Sequence, residues 1–472
     1  MAEVADDVGA WERHLCAPFT GRKIICSFEL LAAMTHLVGR FRRWGAERPL
    51  LIADGRGTGP VPTAEDAEIL LVESPRFESL TEHVRARMRS AERLTPDVVA
   101  AVERYDPAED AAWWVSPVGP NTPMLGRPVL GGRPPKQAAL EDKLVIDDIL
   151  DDLGASRPPV AVAAATYDDL MTATDRVRGA SGADQVVWSG DATQGVNGGG
   201  DYVRWIRSVD HAKDAADFFS RHCAQVRVSP FLEGVPCSIH AIVVPDGVVV
   251  LRPMELASLR SAESGRFVYA GMGTSWDPPD ADRDAMRELT RGFGIHLQRT
   301  EGYRGAFCLD GVLTADGFRL TELNPRFSGG LSRLGRSSPD AHLELVHVNA
   351  LLGRDLGRAA EQIEADALAR VDDSRFVDVM GLSGTVTSTE DLEVAVAAGP
   401  GRLEVAQDAV SAIGTVACGP SPLGTFVRLT LSDEVVRVGD RVAPLSVLLL
   451  DFCDRMWDTG FGSVLMPPDV RR

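Results

Sequence analysis

The stretch LTELNPRFSGG, residues 320–330, sets a carboxylate, an amide and a guanidinium at alternate positions: Glu322, Asn324 and Arg326. On a strand, alternate residues point to one face. One face would then carry two oxygen ligands and a fixed positive charge, a cradle for a metal bound to phosphate if a partner carboxylate lies beside it. The preceding segment GVLTADGFRL offers that partner. A three-residue loop Ala315-Asp316-Gly317, with Gly317 left-handed, sets Thr314 opposite Phe318 and, counting outward, Asp310 opposite Glu322. A two-residue turn instead places Asp310 opposite Leu323, its carboxylate on the other face. In the first register the two carboxylates have Cβ atoms roughly 5 Å apart. They repel, and one pKa rises unless a cation sits between them. Asn324 extends the same oxygen-lined face, and such hard ligands suit Mg²⁺ or Mn²⁺, which take further ligands from water and substrate phosphates. The plain alternative is a solvated hairpin with ordinary surface charges.

At 472 residues the chain can bury a large core and divide into several domains. Its net charge of −19 argues against a broad nucleic-acid or anionic-membrane surface. A small anionic ligand stays open, because a local cluster of Arg, Lys or metal can reverse the field. Seven scattered cysteines with no Cys-x-x-Cys pair read as reduced thiols. The acidic start MAEVADDVGAWERHL lacks a secretion pattern, and no apolar run reaches the roughly 18 residues of a membrane helix, so the expected location is cytoplasmic.

Outward from the hairpin, RKIICSF, LLAAMTHLVGRFRRW and PLLIADGRGTGP read as strand, helix, strand and loop, a small α/β layer. Gly55–Gly59 is a surface turn, since no helix follows it. Residues 115–136 hold many Pro and Gly and mark a boundary. ALEDKLVIDDILDDLG reads as an amphipathic helix, and Thr166 with Asp169 caps the helix that follows PPVAVAAA. QVVWSGDATQGVNGGGDYVRWI is strand, glycine loop and strand. VVPDGVVVL is a hairpin turning at Pro245-Asp246-Gly247. TFVRLTLS and VVRVG read as strands near the C-terminus and VLLLDFCDRMW as a helix.

GAFCLDGVLTADGFRLTELNPRFSGG resembles the metal-binding hairpin of the ATP-grasp superfamily, and the resemblance covers roughly residues 140–335 in order. It implies an α/β (α+β) fold with an N-terminal α/β domain (1–135), a lid and nucleotide-binding subdomain (136–235), a central catalytic subdomain (236–360) and a mixed C-terminal module (361–472). It also implies ATP and Mg²⁺ (or Mn²⁺) as cofactors, with Asp310, Glu322 and Asn324 on the metal and Glu322 on the nucleotide side. EDKLVIDDILDDLG resembles the helix whose lysine reaches the nucleotide phosphates, here Lys143. SGDATQGVNGGG resembles the flexible lid loop, with Gly195, Gly198 and Gly199. SPFLEG resembles the segment that meets adenine through Phe231 and Leu232 and ribose through Glu233. One departure stands out: where the family commonly has a second phosphate-binding lysine, VVWSG has Trp188.

Most members of the superfamily ligate a carboxylate to an amine, thiol or similar nucleophile through an acyl-phosphate. The resemblance casts Arg326 as the residue that stabilises the transferring phosphoryl group, with Ser328 and Gly329 presenting backbone N–H groups to the acceptor carboxylate. NPRFSGG, LRPMEL and the C-terminal module resemble bacterial peptide ligases of the pheganomycin type, which couple a nonproteinogenic amino acid to a peptide amine. Arg252 and Glu255 are then candidates for the substrate carboxylate and amine; the alternative is a strand-end pair, solvated or bridged to each other. The expected partners are an amino acid and an amine or peptide, and a dimer is common among relatives, which leaves a homodimer open. The competing readings are a kinase for a small-molecule hydroxyl, a non-catalytic nucleotide-binding protein and a biotin-dependent carboxylase component, which normally shows a closer match throughout its longer core. No Walker A loop, His-Glu-x-x-His, zinc-type Cys/His cluster or Gly-x-Ser-x-Gly elbow is present, and His240 and His296 read as packing or surface residues.

Overall fold

Short apolar runs in parallel pairing build the N-terminal sheet. A computed structural model describes residues 2–73, 76–432 and 434–471. Among these the strands form three sheets of five, eleven and four strands. In the first, Ile24–Glu29 pairs in parallel with Leu50–Ala53 on one side and Ala112–Trp114 on the other. Both flanking strands are buried throughout, as strands covered on two faces must be. The Gly55–Gly59 turn is fastened rather than free, because Asp391 accepts from Gly59 N at 3.1 Å and pairs with Arg56 at 2.7 Å.

The four-stranded sheet runs Ala161–Ala164, Gln225–Pro230, Val186–Gly190, Val203–Ile206, all antiparallel. Helices Tyr167–Ser181 and Val209–His222 cover one face around Trp188, Phe219 and Val228. Thr166 caps the first of them, its hydroxyl accepting from Asp169 N at 3.3 Å, and Gly182 ends it at φ +70°.

The eleven-stranded sheet is the frame of the molecule. Its order begins Gly317–Asn324, Gly305–Thr314, Val235–Val244, Gly247–Ser261, Phe267–Gly273 and continues through Val377–Ser383 into the C-terminal strands. The pairing of Gly271 with Val379 carries it without a break across the boundary expected at residue 360. Alternation sends Leu309 and Leu323 to a core with helix Asp280–Glu301. Neighbouring residues such as Ala306 and Ile242 face a second core shared with Phe19, Phe41 and Trp114 of the N-terminal region.

Two expected elements are different. The run 139–154 is not one helix: it breaks after a short turn at Ala139–Glu141 and resumes at Ile146–Asp152, leaving Lys143 in the connecting turn. Asp142 makes the break, its carboxylate accepting from Leu144 N at 3.0 Å in place of a helical bond. The run VVRVG (435–439) forms turns, with Val435 N on Ser432 O and Asp440 N on Arg437 O, both at 3.0 Å.

The hairpin reaches the expected juxtaposition by another route. Its turn has two residues, Ala315-Asp316, since Thr314 pairs with Gly317. The same geometry recurs at the first hairpin, where Val244 pairs with Gly247. Continued outward, that register would set Asp310 opposite Thr321. A β-bulge intervenes: Gly311 pairs with Leu320 and Asp310 with Glu322, so Thr321 is the extra residue. Thr321 Oγ1 donates to Asp310 O at 3.0 Å and fixes it there. Gly311 leaves no room for a side chain, because a Cβ there would lie 2.4 Å from Arg319 O. Gly311→Ala should therefore destabilise the protein by about 2 kcal/mol or more in urea unfolding; unchanged stability would mean that the bulge tolerates a side chain.

Candidate active site

Asp310 and Glu322 face each other across the hairpin, with Asn324 continuing the row beyond Glu322. Asn324 joins two charges of opposite sign. Its Nδ2 donates to Asp310 Oδ2 at 2.8 Å, and its Oδ1 accepts from Arg326 Nη2 at 2.8 Å. Arg326 Nε donates to Glu141 Oε1 at 3.0 Å, and Arg133 Nη1 lies 2.6 Å from the other Glu141 oxygen. Lys143 Nζ lies 2.7 Å from Glu322 Oε1. Two ion pairs thus bind the hairpin to residues 133–143. Leaving the helix does not remove Lys143 from the site; the turn delivers it to Glu322.

The electrostatics follow from this crowding. Burial, and then Glu322, push the Asp310 carboxyl up to about 6. Burial also works to raise Glu141, but Arg326 and Arg133 outweigh it and hold that carboxylate below its usual value. Arg326 stays charged: Glu141 more than offsets its burial. Among the described residues no group of three or more His, Cys, Asp or Glu side chains could hold a metal ion. The hairpin's two carboxylates nevertheless fit a hard divalent cation that draws its remaining ligands from phosphate and water, and Asn324 joins them only if its amide turns its oxygen from Arg326. Lys143 already places a positive charge against one of the two carboxylates.

The glycine-rich loop lies against helix Leu80–Met88, a contact that nothing in its composition announced. Arg85 donates to Val196 O at 3.1 Å, Gly195 O at 3.2 Å and Asn197 Oδ1 at 2.9 Å. Gly198 N donates to Thr81 Oγ1 at 3.0 Å. A Cβ on Gly199 would come within 2.5 Å of Leu80 Cδ2. Asp142 holds the base of the loop, accepting from Ala192 N at 3.2 Å.

Phe231, Leu232 and Glu233 follow the strand Gln225–Pro230. Phe231 stacks on Trp205 with ring centroids 4.8 Å apart, and Arg260 lies over both rings. Leu232 is half-buried. Glu233 is spoken for by Arg260, whose Nη1 donates to its two oxygens at 3.0 and 3.1 Å. Trp188 turns inward, its Nε1 donating to Thr174 Oγ1 at 2.9 Å. The basic group on the opposite face of that sheet is Arg227, which pairs across strands with Ser189 and binds Asp147 at 2.6 and 2.8 Å.

The four substrate candidates divide. Ser328 and Gly329 sit directly beyond Arg326, where Ser328 Oγ accepts from Leu331 N at 3.1 Å and caps helix Gly329–Ser337. Gly330 packs against His240, a buried imidazole kept neutral by burial, which pushes its pKa down to about 3. Arg252 and Glu255 are neither solvated nor bridged to each other. Arg252 donates to Asp372 at 2.6 Å and to Asp277 at 3.2 Å. Glu255 is fully buried and accepts from Arg441 Nε at 2.7 Å and Val442 N at 2.6 Å, capping helix Val442–Trp457. Both are structural anchors here. Arg85, Glu141 and Arg227 went unread in the sequence because each takes its position from a partner far along the chain, and Arg133 because its place depends on Glu141.

Since the folded pKa of Asp310 lies above its unfolded value, stability falls as pH rises from about 4 through about 6. Asp310→Asn should raise the melting temperature by about 2 °C near pH 8 without Mg²⁺, a gain that fades toward about pH 4. An equal gain at both pH values would show that Asp310 is not the group responsible. Arg85→Ala should speed amide hydrogen exchange across residues 195–201 by about tenfold or more; unchanged exchange would mean that Arg85 does not hold the loop.

No family model matches the chain, and no curated protein matches it. Among solved structures, it resembles the biotin carboxylase domain of Hydrogenobacter thermophilus 2-oxoglutarate carboxylase, in complex with MgADP, ADP and bicarbonate, with TM-score 0.53, 12% identity and 95% of this chain and 92% of that chain covered. It also resembles phosphoribosylamine–glycine ligase from Thermotoga maritima, with TM-score 0.51, 15% identity and coverage of 91% and 96%. Among the described residues no helix is long and apolar enough to cross a membrane. These neighbours are ATP-grasp proteins, and the chain has the ATP-grasp fold.

Proposed function

We propose that this chain is an ATP-dependent ligase that joins a carboxylate to an amine through an acyl-phosphate and releases ADP and phosphate. The observation that carries the reading is the row Asp310, Glu322, Asn324, Arg326, coupled through ion pairs to Lys143 and Glu141. A carboxylate resists attack by an amine because its leaving group would be oxide. Phosphorylation by ATP turns that oxygen into a phosphate leaving group, so the protein's work is positioning and charge neutralisation. Asp310, Glu322 and Asn324 would hold Mg²⁺ (or Mn²⁺), which neutralises charge on the β- and γ-phosphates when bound.

Lys143 leaves Glu322 for the nucleotide phosphates, exchanging one anion for another. Arg326, held in place by Glu141 and Asn324, meets the charge that develops on the transferring phosphoryl group. The loop of Gly195, Gly198 and Gly199 closes over the phosphates, Phe231 and Leu232 border adenine, and Glu233 takes ribose after release from Arg260. Arg227 is the basic residue that stands in for the missing lysine beside Trp188, once freed from Asp147. Ser328 and Gly329, at a helix N-terminus, receive the acceptor carboxylate. That carboxylate belongs to an amino acid, proteinogenic or not, and the amine to an amino acid or peptide, in bacterial natural-product biosynthesis. The fold likeness to a glycine ligase supports the carboxylate–amine class.

Amino-acid substrates labelled with ¹⁸O in the carboxylate should yield labelled inorganic phosphate with ADP, one label per amide. Label in AMP would overturn the acyl-phosphate route, and a phosphorylated product without labelled phosphate would point to the kinase. Glu322→Gln should lower turnover by about 10²–10³-fold with the fold intact; activity within a few-fold of wild type would remove the hairpin from the chemistry.

A further inference from the structure

Helix Gly329–Ser337 begins where the hairpin's polar row ends and carries Arg333 and Arg336 on one face. Two more guanidinium groups converge there, Arg40 from helix Leu31–Arg43 and Arg428 from strand Gly424–Leu431. Asp378 is the carboxylate among them, and it fits neither neighbour well. Arg333 Nε and Arg428 Nε each lie 3.6 Å from one of its oxygens, too far for a hydrogen bond. The Nε groups of Arg40, Arg333, Arg336 and Arg428 are all buried without a hydrogen-bond partner. Arg40 pairs with Glu344 through its Nη1. Four guanidinium groups therefore meet two carboxylates. Burial, and then Arg333, Arg428 and Arg40 outweighing Asp378, push Arg336 down to about 10. His36, at the margin, is held below its usual pKa by burial and then by the same four arginines.

The geometry points to an anion-binding site formed by Arg333, Arg336, Arg428 and Arg40, which takes a carboxylate or phosphate group of the substrate distal to the reacting carboxylate. The cluster adjoins the helix start beyond the hairpin. Asp378 pairs across strands with Met272, whose methyl lies 3.9 Å from a Cβ built on Gly329. Tyr269 has a buried hydroxyl without a hydrogen-bond partner, and burial, then Asp378 and Asp310, hold it un-ionised. A planar or tetrahedral oxyanion would satisfy the open guanidinium N–H groups and relieve the mutual repulsion of the arginines, which Asp378 does only at long range. That the anion belongs to the substrate rests on the ligase reading above; that the cluster takes an anion does not.

The competing explanation is structural. Arg333 lies 5.2 Å from the Phe376 ring and Arg428 5.2 Å from the Phe426 ring, contacts that could hold them without any ligand. Inorganic phosphate and succinate, titrated calorimetrically onto the full chain at low salt, separate the two. One of them should bind wild type, weaken about tenfold in Arg336→Gln, and tighten several-fold in Asp378→Asn, which removes the competing carboxylate. Tightening in Asp378→Asn is the result that a purely structural cluster does not produce. Preference for succinate assigns the site to a carboxylate, preference for phosphate to a phosphoryl group. No binding by either anion, or binding that neither substitution changes, overturns the site. Binding of an ATP analogue with Mg²⁺, measured in parallel, tests the other reading. Anion binding that behaves as expected in a chain without nucleotide binding would sink the ligase and leave the anion site standing.

Discussion

Asp310 and Glu322 project from neighbouring strands onto one face, and no arrangement of the hairpin alone makes that comfortable. Two carboxylates so close require positive charge nearby. The fold supplies it from Lys143, far away in the chain, on Glu322 directly, and from Arg326, just beyond the hairpin, through Asn324. Arg326 in turn needs Glu141, and Glu141 needs Arg133, so the neutralising charge extends into the segment that joins the N-terminal region to the small sheet. Breaking one partner out of such a network leaves a buried charge uncompensated, which is costlier than never having built the pair. The repulsion at the hairpin is thus what ties the central sheet to the segment before helix Ile146–Asp152.

Three residues that the proposed function assigns to the nucleotide are already paired. Lys143, Arg227 and Glu233 each have an internal partner of opposite sign: Glu322, Asp147 and Arg260. In the proposed function each trades that partner for part of the nucleotide and its metal. Pre-paired side chains also arrive with their rotamers restricted, which lowers the entropic cost of ordering them on binding. The glycine-rich loop is the counter-case. Its glycines bring no side-chain order, and its position comes from Arg85 and Thr81 on another element.

How far the sequence could be read follows from whether a feature is local. The apolar runs at 24–29 and 50–53, the Thr166 cap, and helix Val442–Trp457 were legible because neighbours in the chain decide them. The pairing of Asp310 with Glu322 was expected through a three-residue loop, whereas the chain combines a two-residue turn with a bulge at Thr321. Side-chain alternation alone cannot separate those two routes, since both return the carboxylates to one face. Lys143 was placed on a helix because the apolar period runs through it, and the competing hydrogen bond from Asp142 is a tertiary choice as well as a local one. Arg252 and Glu255 looked available because their partners, Asp372 and Arg441, lie more than a hundred residues onward.

Continuity of the central sheet gives the C-terminal residues a part in the site. Strand Phe267–Gly273 pairs with Gly247–Ser261 on one edge and with Val377–Ser383 on the other, so Asp378 is fixed in register to Met272 beside Gly329. Arg428 then comes in from the next strand, at the same level as Arg333 on the helix that Ser328 caps. Glu255 reinforces this attachment by capping helix Val442–Trp457 from inside the sheet. A module joined through strand pairing and a buried cap cannot tilt freely, and so it holds its charged groups at fixed spacing from the hairpin. In a chain with a net charge of −19, gathering four arginines at that spacing makes a local positive field. The pairing that fixes Asp378 to Met272 therefore sets the span that any molecule bridging hairpin and arginine cluster must match.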